Sequence, residues 1–127
     1  MSAPAAFLAR HRRGLRLFFW AAAAFAFAMA INPHPPEIPG APGDKVEHIA
    51  AFASLATLAA LAWPERRYAA IGLALSYFGA IIEIVQAIPA LHRDCDIMDW
   101  VADTVSLSVV LAIAWAVRRA GGRRAGL

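Results

Sequence analysis

Four apolar stretches, at about 15–31, 45–63, 68–88 and 99–117, occupy most of this chain and constrain its fold more than any other feature. Residues that stop a helix or resist burial bound them: "NPHPP" after Ile31, Pro64 after Trp63, Pro89 after Ile88 and "RRAGGRR" after Val117. At ~1.5 Å per residue, residues 45–63 span roughly 28 Å, close to the ~30 Å hydrocarbon core of a bilayer. With 61% hydrophobic residues in a 127-residue chain and a mean hydropathy of +0.56, the composition lies above the soluble norm. The expectation is an all-α, polytopic membrane protein: one membrane domain over 1–127, folded as a four-transmembrane-helix bundle.

The arginines orient it. Arg10, Arg12, Arg13 and Arg16 flank the first span, Arg66 and Arg67 separate the second from the third, and Arg118, Arg119, Arg123 and Arg124 follow the fourth. With four crossings all of these fall on one side, and only Lys45 and Arg93 remain for the other. The positive-inside rule then places the N and C termini in the cytoplasm. Every acidic residue except Glu65 belongs to the outer side or its half of the membrane. The basic residues sit at span ends rather than along a stripe, so the pI near 9.8 reads as topology and not as nucleic-acid binding. A secretory signal is the competing reading of the basic start and "AFAMA", but the apolar run exceeds the usual ~7–15 residues of such signals. Cleavage there would leave three spans in the same orientation.

Local signals refine the helices. Asp44 with Glu47 three positions on has the spacing of a capping box opening the second helix. Trp20, Trp63, Trp100 and Trp115 lie near span ends, where indole rings anchor to the interface. Alanine-rich runs such as "AAAAFAFAMA" let membrane helices approach closely, and a bundle this small can also self-associate. A lone cysteine, Cys95, excludes an internal disulfide and a cysteine-based zinc framework.

Polar residues within these spans carry the functional signal. Glu83 lies roughly 7–8 Å from the outer end of the third span, and Gln86 follows on the same face. An ionisable group at that depth costs about 2–3 kcal/mol, so it is expected to face the bundle interior and to have a partner. Asp96, Asp99 and Asp103 follow helical spacing into the fourth span, and Ser106 extends that face; Asp99 is also a candidate N-cap. Lys45 and His48 enter from the outer end of the second helix, with Phe52 one turn further in, and Arg93 lies in the outer loop. Topology therefore gathers Lys45, His48, Glu83, Gln86, Arg93, Asp96, Asp99 and Asp103 at the outer ends of three helices.

The segments "DKVEHIAAF", "EIVQ" and "HRDCDIMDWVADTVS" resemble, in order and spacing, the VanZ-like integral membrane proteins, a family named after a teicoplanin-resistance protein. The family pattern combines Asp-Lys-x-x-His-x-x-x-aromatic at the opening of one helix, Glu-x-x-Gln near the end of the next, then Arg and a helix opening with Asp. The matching positions are Asp44, Lys45, His48, Phe52, Glu83, Gln86, Arg93 and Asp99, within a VanZ-like region of about 44–113. Two positions depart: Asp103 stands where many members carry Asn, and Ser106 where Gly is common. The resemblance implies a small multi-pass protein of the bacterial inner membrane, linked in some members to tolerance of lipoglycopeptides.

Two functional readings follow. In the first, the cluster acts on a lipid-linked cell-envelope substrate, with Glu83, His48 and Asp99 as catalytic groups and Lys45, Gln86, Arg93, Asp96 and Asp103 binding the substrate. Cys95 and Ser106 are nucleophile candidates by residue type alone. In the second, the same groups bind the head group of a lipid or lipopeptide without altering it. Ion pairs that only fix helix register are the structural alternative. His48, Glu83, His92, Asp96 and Asp99 are metal-ligand types, but with no ligand motif such as HExxH no metal or cofactor is assigned.

Overall fold

The computed structural model describes residues 2–36, 39–40 and 43–124. The chain forms α1 (Ala3–Ile31), α2 (Asp44–Ala62), α3 (Tyr68–Gln86), a short 3-10 turn (Pro89–Leu91) and α4 (Ile97–Arg124). All four α-helices are long and apolar enough to cross a membrane.

The helix limits differ from the apolar limits for identifiable reasons. Helix α1 begins well before the apolar run because its basic first half is rich in Ala, Leu and Arg, which are strong helix formers, with Pro4 tolerated in the first turn. Helix α4 likewise continues through the arginines that follow its apolar part. Helix α3 stops at Gln86, two residues short of the apolar limit. Pro89 disfavours helical backbone at Ile88, which is extended (φ −70°, ψ 118°). The capping box does not form: Gly43 is the N-cap of α2, no side chain caps it, and Asp44 lies within the first turn. Both Asp44 and Glu47 still place negative charge where the helix dipole favours it.

Helix α2 packs against all three others and α3 against α1 and α4, so α1 and α4 mainly flank the α2–α3 pair. The core is built from Phe52, Leu55, Ala56 and Ala59 of α2 with Ile71, Leu75 and Ile82 of α3 and Leu107 and Leu111 of α4. Two glycines set the close approach of α3 to α4. A Cβ at Gly72 would lie 3.3 Å from Leu111 Cδ1, and one at Gly79 would lie 3.2 Å from Asp103 Oδ2. Large apolar side chains cover the outside instead, among them Phe18, Phe25, Leu73, Tyr77, Ile84 and Ile113. An apolar exterior around an interior that holds several charged groups is the inverse of a water-soluble fold.

Arginines tie one end of the bundle together. Arg16 donates to the carbonyl of Ala62 at the end of α2 (3.1 Å) and to Glu65 (3.0 Å), and it lies over the Trp63 ring. Arg118 donates to the Pro64 carbonyl (2.7 Å). Both terminal helices therefore meet the α2–α3 turn at the same end. Trp100, expected as an interfacial anchor, ties α4 to α3: its indole N–H donates to the Ser76 carbonyl (3.0 Å). Trp100→Phe is expected to lower stability by about 1 kcal/mol, the usual net worth of one such bond. Denaturation of the two proteins in matched micelles measures it.

Candidate functional site

The opposite end of the bundle collects the polar residues. Chain direction alternates, so the start of α2, the end of α3 and the start of α4 lie together there. Gly79 marks the floor of the site: its Cα faces Phe52 of α2 and both Trp100 and Asp103 of α4. One turn outward on each helix lie His48, Glu83 and Asp99. All three are buried, as are Gln86 and Asp103.

Contacts divide this cluster into a deep pair and an outer network. In the deep pair, His48 Nδ1 lies 3.1 and 3.3 Å from the two carboxylate oxygens of Asp103, which is fully buried. With Asp103 ionised, the proton of this contact sits on Nδ1, leaving Nε2 as the uncommitted ring nitrogen. In the outer network, Lys45 Nζ lies 3.3 Å from Asp99 and 3.6 Å from Asp96. Arg93 reaches back to Asp44 at 3.7 Å, so it joins the outer loop to the start of α2 rather than bridging Glu83 and the aspartates.

Asp96, and not Asp99, caps α4. Its side chain accepts from the Met98 N–H (2.9 Å), whereas Asp99 is already inside the helix and directs its carboxylate to Lys45. Removing Asp99 from capping places a second buried carboxylate beside Glu83. The Asp96 backbone N–H in turn donates to Glu83 Oε2 (3.0 Å), fixing the glutamate against the start of α4.

Two buried acceptors are left over. Among the described residues Glu83 Oε1 and Gln86 Oε1 have no hydrogen-bond partner, although Gln86 Nε2 donates to the Ala30 carbonyl of α1 (2.9 Å). An unmade bond of this kind costs about 1–3 kcal/mol, and more for a charged group. Such atoms are expected where a ligand supplies the missing donor or charge.

Other candidates lie outside this arrangement. Ser106 donates to the Ile49 carbonyl (2.9 Å), which commits its hydroxyl to helix packing. Cys95 is exposed in the outer loop; partial desolvation and the neighbouring Glu83 carboxylate push its thiol above the ordinary range, which suppresses the thiolate a nucleophile needs. His92 is exposed and takes left-handed backbone (φ 50°) at the end of the 3-10 turn. Asp44, His48 and Asp99 each offer a ligand atom, and these atoms lie within 4.8 Å of one another. The sequence signal for this trio was the Asp-x-x-x-His spacing, which stacks Asp44 over His48 one turn apart. Asp99 joins it only through tertiary packing. In comparisons with known proteins, the chain matches no family model, no curated protein and no solved structure.

Proposed function

We propose that this chain is a VanZ-like integral membrane protein of the bacterial inner membrane. Both termini lie in the cytoplasm, and the polar end holds the head of a lipid-linked cell-envelope component at the outer leaflet. The observation that carries this reading is the pair of buried acceptors, Glu83 Oε1 and Gln86 Oε1, beside Lys45, His48 and Asp99. Ion pairs that only fix helix register satisfy one another, as Lys45–Asp99 and His48–Asp103 do, whereas these two neighbouring acceptors have no donor among the described residues. The positions of the VanZ-like pattern, dispersed from Asp44 to Asp99, also share this one end of the bundle, and that supports the family reading. The arginine bias supports the orientation.

Chemically, Lys45 and Arg93 suit a phosphate or carboxylate at the rim. Glu83, held dry against α4, is placed to exchange a proton with a bound group, and His48 Nε2 is a second acceptor at the same level. Glycopeptide tolerance, including tolerance of teicoplanin, is the cellular consequence this reading predicts. The test compares envelope lipids from cells with and without the protein by mass spectrometry. A covalently altered lipid identifies catalysis, and an unmodified lipid co-purifying with the protein identifies binding. Glu83→Gln and Asp99→Asn are expected to abolish whichever effect is seen while membrane abundance stays within about twofold. Full activity of both variants would rule the site out, and loss of both proteins from the membrane would assign these residues to the scaffold.

A further inference from the structure

We infer that the Asp44, His48 and Asp99 cluster binds a divalent transition-metal cation. Imidazole nitrogen with carboxylate oxygens is a donor set that suits Zn²⁺, whereas Mg²⁺ and Ca²⁺ favour oxygen-only shells. The three ligand atoms already lie within 4.8 Å of one another. Metal bonds of ~2.0–2.2 Å require a somewhat tighter group. Asp44 supplies that adjustment, because it is exposed at the rim and its present partner, Arg93, is only a 3.7 Å contact.

Two independent observations point to a cation rather than to a self-contained ion-pair network. Glu83, on α3 at the level of His48 and Asp99, is 6% exposed; the Asp96 N–H holds one of its carboxylate oxygens, and among the described residues the other has no hydrogen-bond partner. The carboxylates of Asp44, Glu83, Asp96, Asp99 and Asp103 also outnumber the fixed cations Lys45 and Arg93, and three of them are buried. Surplus negative charge in a dry site is costly, and a dication offsets it. The deep pair completes the argument. Asp103 on Nδ1 holds the imidazole and leaves Nε2 as the nitrogen for a cation, the carboxylate–histidine arrangement that supports metal-bound histidines. Lys45 occupies Asp99 in its absence, and with its side chain about half exposed it can leave toward solvent when the dication arrives.

This inference stands apart from the lipid-linked substrate, since a cation can bind whether or not that reading holds. The test uses the full chain, purified in detergent, stripped with a chelator and titrated with Zn²⁺ by calorimetry, with thermal unfolding followed in parallel. The expected result is one ion per chain and a metal-dependent rise in Tm. Asp44→Asn, a rim change that leaves the packing intact, is expected to weaken binding at least tenfold, and Asp103→Asn about tenfold or more through the histidine. Lys45→Ala is expected to tighten binding severalfold by removing the competing cation, while Asp94→Asn in the exposed loop leaves it unchanged. No stoichiometric binding, equal affinity in Asp44→Asn, or weaker binding in Lys45→Ala overturns the inference. A preference for Mg²⁺ over Zn²⁺ overturns the assigned class of ion.

Discussion

Asp103→Ala is expected to destabilise the bundle by about 3 kcal/mol, whereas Asp103→Asn costs about 1 kcal/mol. The difference arises at His48, whose Nδ1 has Asp103 as its partner, in a position where neither side chain reaches solvent freely. Alanine leaves a buried N–H without an acceptor and opens a cavity beneath it. Asparagine keeps an acceptor oxygen in nearly the same place and loses only the charge. Unfolding titrations in micelles read both values, and a His48→Ala, Asp103→Ala double-mutant cycle isolates the pair. If alanine and asparagine cost the same, the histidine does not depend on this contact.

Gly79→Leu is expected to cost about 1–3 kcal/mol by overpacking and to disrupt the site above it. A Cβ alone would meet Asp103 Oδ2 at 3.2 Å, Phe52 Cζ at 3.3 Å and Trp100 Cδ1 at 3.4 Å. None of these is the loose end of a flexible chain: His48 holds Asp103, Ser76 holds the Trp100 indole, and Phe52 is buried in the core. A leucine therefore has to push α3 away from α4, which pulls Glu83 from the Asp96 N–H. Gly14→Leu is the matched control, since among the described residues nothing lies within 4 Å of a Cβ at Gly14. There the substitution only improves helix propensity, by about 0.5–1 kcal/mol. Equal stability of the two variants would show that α3 and α4 have room to spare at Gly79.

Much of the fold was legible because its signals are local. Prolines and arginines bounded each apolar run, and the structure has helices at all four, with Asp44–Ala62 and Tyr68–Gln86 within two residues of the apolar limits. Errors fell where a second local rule overrode hydropathy. Propensity extended α1 and α4 into basic sequence, Pro89 shortened α3, and Asp96 took the cap that Asp99 was equally placed to supply. The candidate site was legible as a set of residues for a different reason: reversal of chain direction between consecutive helices fixes which helix ends coincide. Individual partnerships were not legible. Nothing in the spacing of Arg93 distinguishes Asp44 from Glu83 as its contact, and Arg16 reads as a topology signal until its bonds to Ala62 and Glu65 are seen.

The amino-acid sequence by itself determined the helix count, the alternation of chain direction and the end of the bundle at which the acidic residues gather. These depend on the length and hydropathy of each segment and on connections that reverse the chain between consecutive helices. Tertiary structure alone decided that His48 pairs with Asp103, that Lys45 turns to Asp99 and that Glu83 receives the Asp96 N–H. Those outcomes depend on the rotation of each helix about its axis. On helices apolar on nearly every face, hydropathy carries little record of that rotation, and it emerges only when Gly72 and Gly79 let α3 close against α4.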